Sequence, residues 1–231
     1  MLPIIAPSIL AADAANLERE VKLVEESGAK YLHIDIMDGH FVPNLSYSTL
    51  TVKALREKSD MVFDVHLMVE HPENFVDAFA DAGADVIIFH DETREFGTNV
   101  VALINRIRGL GLKAGISLKP ATPISRLEGY LHMLDSVLLM TVEPGRGGQQ
   151  YLEFVNEKIS RLRKMIDDRN LAIDIEVDGG VGPNNVHIPV EAGANIIVAG
   201  SAIFGSEDYR GTIELMSKNA AAAAGCLNAI V

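Results

Sequence analysis

The sequence predicts a single-domain (β/α)8 barrel, the TIM-barrel architecture, spanning residues 1–231. Two observations carry this. Short β-rich runs alternate with longer amphipathic segments from one end of the chain to the other, and no linker, low-complexity tract or composition break divides it. Eight such units with short connections favour a closed parallel barrel over an open doubly wound sheet, which more often has five to seven strands.

The strands are expected at Ile4 to Leu10, Tyr31 to Met37, Val62 to Met68, Val86 to His90, Ala114 to Leu118, Val137 to Val142, Ile173 to Val177 and Ile196 to Ala199. Each is followed by a helical pattern. Leu17, Val21 and Val24 mark a helix over Asn16 to Ser27, and Val101, Ile104 and Ile107 mark another over Asn99 to Leu110, both at a spacing of three to four residues. Gly28, Gly83, Gly111 and Gly193 stand just before strands, where a helix ends in the left-handed conformation. The alanine run Ala220 to Ala224 reads as helix propensity inside the last helix.

Composition bounds the function. Hydrophobic residues make up 48% of the chain and charged residues 23%, which supplies ample material for a core. A net charge of −12 argues against non-specific binding to nucleic acid or to an anionic membrane. It leaves a small anion open, since backbone N–H groups suffice to bind one. No apolar run reaches the length of a membrane span, and Met1 to Ala15 lacks the basic and apolar regions of a signal peptide. With Cys226 as the sole cysteine, no internal disulfide can form, which fits the cytoplasm; Cys226 itself reads as a small buried hydrophobe.

Strand interiors of a parallel barrel should be apolar, yet three strands carry charge. Side chains alternate along a strand, so His33, Asp35 and Met37 share one face while Ile34 and Ile36 take the other. The same parity groups Asp64, His66 and Met68, and pairs Glu176 with Asp178. With the apolar residues facing the helices, the polar set points inward. Any one of these residues alone is explained by a local hydrogen bond. Four at matched depth, His33, Asp35, His66 and Asp178, make a ligand set for one divalent transition metal, Zn, Fe(II), Mn or Co.

Met37, Met68 and Met140 fit the same inward parity, either as adaptable core filler or as a polarizable lining of the site. Glycine-rich turns follow the last three strands: Gly145, Arg146, Gly147 and Gly148; Gly179 and Gly180; Gly200 and Ser201. They occupy the region where barrels commonly bind phosphate.

Together these stretches resemble the ribulose-phosphate 3-epimerase family. The match runs through Ala6-Pro-Ser-Ile-Leu10, His33-Ile-Asp-Ile-Met-Asp-Gly-His-Phe-Val-Pro-Asn44, Asp64-Val-His-Leu-Met-Val69, Met140-Thr-Val-Glu-Pro-Gly145, Val177-Asp-Gly-Gly180 and Ala199-Gly-Ser-Ala-Ile-Phe204. The resemblance implies reversible inversion at C3 between D-ribulose 5-phosphate and D-xylulose 5-phosphate, in pentose phosphate metabolism, by an isomerase that usually self-associates as a homo-oligomer. It implies that His33, Asp35, His66 and Asp178 hold the metal, and that Asp35 and Asp178 also move the proton, as acceptor and donor. It further implies that Ser8 and His66 touch the sugar, and that Gly145 to Gly148, Gly179, Gly180, Gly200 and Ser201 bind the phosphate. Residue chemistry agrees, because inverting a carbon beside a carbonyl needs a base on one face and an acid on the other.

The chain departs from the family pattern in three places. Arg146 stands where phenylalanine is usual, pointing either to the phosphate or to solvent. Lys119 replaces a frequent asparagine before Pro120. Asn44-Leu-Ser-Tyr-Ser-Thr49 lacks a common glycine and is similar to the D-allulose-6-phosphate 3-epimerases, which makes the hexose phosphate the second reading. A non-catalytic sugar-phosphate-binding barrel is a third, disfavoured by the complete ligand set. A lyase or decarboxylase would need a lysine-aspartate array that the strand ends lack. His40, His132 and His187 read as surface or loop residues, Asp38 as a turn former with Gly39, and His90 as a pocket-lining residue with no identifiable partner.

Overall fold

The computed structural model describes residues 2–225, so Cys226 lies outside the described residues. Eight parallel strands form one sheet in the order β1-β8-β7-β6-β5-β4-β3-β2. They are β1 Ile4–Pro7, β2 Tyr31–Met37, β3 Val62–Met68, β4 Val86–His90, β5 Lys113–Leu118, β6 Ser136–Met140, β7 Asp174–Asp178 and β8 Ile196–Ala199. A parallel bridge between Ser8 and His33 joins the two end strands and closes the ring, giving the expected (β/α)8 barrel.

Around it lie α1 Leu17–Glu26, α2 Thr49–Arg56, α3 Val76–Asp81, α4 Val100–Gly109, α5 Val155–Asp168, α6 His187–Glu191, α7 Ser201–Phe204 and α8 Tyr209–Ala223. Asn99 caps α4 by accepting a hydrogen bond from the Ala102 N–H at 3.1 Å. The four glycines expected to end helices all have positive φ, between 83° at Gly111 and 114° at Gly193.

Four expectations need correction. The sixth strand ends at Met140 and not at Val142. The first strand ends at Pro7, not Leu10, because the Ser8 hydroxyl accepts from the Leu10 N–H and turns Ile9–Ala11 into a single 3-10 turn. The fifth strand is not followed by an α-helix: Pro120, Pro123 and Gly129 break the segment, which keeps only 3-10 turns at Ile124–Leu127 and Leu131–Met133. The seventh strand runs one residue further than expected, to Asp178, so this carboxylate sits on the ladder opposite Met140.

Two apolar layers follow from the strand parity. Leu32, Ile34, Ile36, Phe63, Val65, Leu67, Ile87 and Phe89 face outward into the main core against the helices. Inside the barrel, Val86, Ile88, Leu138, Met140 and Val142 form a smaller cluster, and Ala6, Ile196 and Val198 another. Between β2 and β3 the interior is polar in two rows, His33 with Asp64 and Asp35 with His66. Above them, toward the strand C-termini, Met37 pairs with Met68 and packs with Val42 in a third apolar cluster.

Candidate active site

A pocket of about 480 Å³ opens at the C-terminal ends of the strands. Ser8, Asp35, Met37, Met68, Met140, Asp178, Gly145 to Gly148, Gly179, Gly180, Gly200 and Ser201 line it. The three methionines border the cavity and are also buried in the apolar clusters of the barrel interior, so each combines the two readings. His33 and His66 are fully buried beside it, and one ligand atom from each of His33, Asp35, His66 and Asp178 lies within 4.8 Å of the others.

Asp35 sits at the centre of this cluster. Its Oδ2 accepts from the Ser8 hydroxyl at 2.7 Å, while Oδ1 is 3.0 Å from His66 Nδ1 and 3.3 Å from His33 Nε2. On its other side, His33 Nδ1 meets Asp64 at 2.7 Å and Glu176 at 3.1 Å. Among the described residues, His33 Nε2 is buried without a hydrogen-bond partner and faces the cluster. An orphaned imidazole nitrogen beside two carboxylates and a second imidazole is a donor set suited to a divalent transition metal, with Asp64 behind His33 as the outer carboxylate such ligands commonly have.

The two inward aspartates differ electrostatically. Burial pushes the Asp35 carboxyl up, but His33 and His66 beside it outweigh this and hold it well below the usual carboxylate range. Burial and then the charge of Asp35 push Asp178 up to about 7. The Asp178 side chain remains partly open to the pocket. Burial, followed by the neighbouring His90, lowers His66 to about 4, leaving it neutral, although the adjacent Asp35 carboxylate works the other way. The two carboxyls of one cluster are thus driven in opposite directions, Asp35 down and Asp178 up.

The opposite end is built from backbone. Gly179 and Gly180 have φ of 123° and 69°, and a Cβ on Gly180 would fall on the Tyr151 backbone. The Thr141 hydroxyl donates to the Gly179 carbonyl at 2.6 Å and the Asn185 amide donates to that of Gly180 at 2.9 Å. The Gln149 amide donates to the Glu143 and Arg146 carbonyls at 2.7 and 2.9 Å, folding the glycine loop after β6 over the cavity. Arg146 is exposed on that loop, and among the described residues its guanidinium has no ion-pair partner.

Lys119 lies 4.2 Å over the Phe41 ring, set back from the pocket lining. His40, His132 and His187 are exposed, as expected. Asp38 shapes its turn by accepting from the His40 and Phe41 N–H groups at 2.8 and 2.9 Å. His90 corrects the sequence reading: it lies 2.9 Å from His66, which shares its inward parity on the neighbouring strand, and 3.1 Å from Glu92, which parity could not reveal because Glu92 follows the strand. Asn184 and Asn185, on the loop after β7, also line the pocket and carried no sequence signal beyond a polar turn.

Comparison with known proteins agrees with this geometry. The family model described as "Ribulose-phosphate 3 epimerase family" matches residues 4–204. The chain is 48% identical over 206 residues to the ribulose-phosphate 3-epimerase of Synechocystis sp., covering 89% of each. It is 46% identical to the Bacillus subtilis ribulose-phosphate 3-epimerase over 90% of this chain and 95% of that one. Against the chloroplastic ribulose-5-phosphate-3-epimerase of Arabidopsis thaliana the identity is 47%, over 91% of this chain and 75% of that one. A 3-hexulose-6-phosphate synthase structure superposes with a TM-score of 0.69 at 15% identity, covering 94% of this chain and 99% of that one, which is a likeness of fold. On the family match and the curated relatives together, this chain belongs to the ribulose-phosphate 3-epimerase family.

Proposed function

We propose that this chain interconverts D-ribulose 5-phosphate and D-xylulose 5-phosphate by inversion at C3, with Asp35 as the proton acceptor and Asp178 as the donor. The observation that carries the reading is the pair of inward aspartates on β2 and β7, brought together in one cluster with two buried histidines beside the pocket. In the forward direction Asp35 takes the C3 proton of the 2-ketose, and the electron pair of the broken C–H bond moves onto the C2 oxygen. Asp178 then returns a proton to the opposite face of C3 as the C2 carbonyl re-forms, so proton and charge balance.

His33, Asp35, His66 and Asp178 would hold one divalent ion, zinc, iron(II), manganese or cobalt. Such an ion supplies Lewis-acid stabilisation of negative charge on the sugar oxygens. Ser8 orients Asp35 through its 2.7 Å hydrogen bond and reaches the sugar beside it. Met37, Met68 and Met140 flank the reacting carbon without an exchangeable proton. The glycine turns at 145–148, 179–180 and 200–201 offer backbone N–H groups to the phosphate, with Arg146 free to approach it. The wider reading is of a cytoplasmic homo-oligomer.

The test is deuterium incorporation in heavy water. Asp178→Asn is expected to exchange the C3 hydrogen of D-ribulose 5-phosphate with solvent while forming no D-xylulose 5-phosphate. Asp35→Asn is expected to do neither. Epimerisation at the wild-type rate by either variant would sink the assignment, and faster turnover of D-allulose 6-phosphate would overturn the five-carbon preference.

A further inference from the structure

A second line of polar side chains leads away from the metal cluster, and each of its contacts constrains the next. His66 turns Nδ1 toward the cluster, 3.0 Å from Asp35, and Nε2 toward His90 Nε2 at 2.9 Å. The two rings stack with centroids 5.0 Å apart, and both are fully buried. His90 Nδ1 is 3.1 Å from Glu92 Oε2. The other Glu92 oxygen accepts from the Lys119 N–H at 2.8 Å and from the Thr122 hydroxyl. Phe41 packs on His90 with ring centroids 4.7 Å apart.

A backbone N–H can only donate, so Lys119 fixes Glu92 Oε1 as an acceptor, and a carboxylate presents a second acceptor at Oε2. His90 must then carry its hydrogen on Nδ1. In a neutral ring that leaves Nε2 as an acceptor, which the facing His66 can satisfy only with a hydrogen on its own Nε2. His66 Nδ1 is left with a lone pair aimed at the cluster, which is what a metal ligand needs.

We infer that Glu92 and His90 are positioning residues that lock the tautomer of His66 for metal binding, an inference that rests on the metal reading proposed above. Neither residue lines the substrate pocket, so neither is a catalytic residue. The loop carrying Lys119 and Thr122 thereby contributes to the metal centre from outside it.

The test is titration of the full chain with Zn2+ against a chromophoric chelator, wild type beside Glu92→Gln. In the variant the Lys119 N–H keeps the carboxamide oxygen, so the NH2 group turns to His90 Nδ1. His90 then shifts its hydrogen to Nε2, where it opposes the hydrogen of His66. The zinc dissociation constant is expected to rise about 10- to 100-fold. Long-range nitrogen-15 spectra of zinc-loaded wild type need no variant and read the tautomers directly: Nδ1–H is expected for His90 and Nε2–H for His66. An unchanged zinc constant in a folded Glu92→Gln, or a wild-type His90 protonated at Nε2, overturns the inference and leaves the metal reading standing. Failure of wild type to bind zinc overturns both.

Discussion

At the scale of single residues, surroundings decide what a carboxyl does. Glu92 is buried, which by itself pushes its carboxyl up, yet His90, Thr122 and the Lys119 N–H outweigh this and bring it down to about 2. Between its ordinary value and that one, the unfolded chain binds the extra proton, so stability rises with pH across the interval. The contribution is complete above the ordinary glutamate range, disappears as pH falls toward 2, and is on the order of 3 kcal/mol. Urea denaturation at a series of acid pH values should therefore show a steeper loss of stability in wild type than in Glu92→Gln. The inward set His33, Asp35, Asp64, His66, Glu176 and Asp178 was legible from parity alone, since alternation along a strand fixes the face. The link from His90 through Glu92 to Thr122 was not, because it is made between segments whose approach depends on tertiary packing.

At the scale of elements, the two helices marked by their apolar spacing, over Asn16 to Ser27 and Asn99 to Leu110, are present as α1 and α4, and a longer stripe anchors α5. On α5, Val155, Ile159, Leu162 and Ile166 are all fully buried at helical spacing. Ile159→Ala should cost about 2 to 5 kcal/mol by chemical denaturation, with little effect on KM, because the residue belongs to the outer core. Gly180→Ala should behave differently. Its φ of 69° and the Tyr151 backbone leave no room for a methyl group, so the loop must shift. A rise in KM for the sugar phosphate is expected, with a stability loss of about 1 to 3 kcal/mol, separable by comparing steady-state kinetics with denaturation. The connection after β5 was misread as helical because its apolar residues, Ile124, Leu127 and Leu131, recur at helix-like intervals. The prolines in that segment outweigh the pattern, and the residues pack from 3-10 turns instead.

At the scale of the whole molecule, the negative charge and an anionic substrate are compatible, because the glycine turns proposed to bind the phosphate line the pocket and would supply donors locally through the backbone. The architecture also separates stability from chemistry. The main core lies between strands and helices, while the proposed metal ligands belong to the barrel interior. Removing the ion with a chelator should abolish turnover with far-ultraviolet circular dichroism nearly unchanged, and adding zinc, manganese, cobalt or iron(II) should restore activity. Loss of helical signal on chelation would contradict this separation.

The ring itself is uneven. Ladders between neighbouring strands run from three residue pairs at β7–β8 to seven at β2–β3, but β1 and β2 meet in the single bridge from Ser8 to His33. The hydroxyl of Ser8 also ties β1 to Asp35 on β2. The hoop is thus buckled beside the proposed metal site, and the two β2 residues that Ser8 meets there, His33 and Asp35, are both proposed to grip the ion. Amide hydrogens along β1 and the start of β2 should be the first of the barrel to trade with solvent when the ion is withdrawn and should slow again when it is returned, so that occupancy can be read as the tightness of one seam.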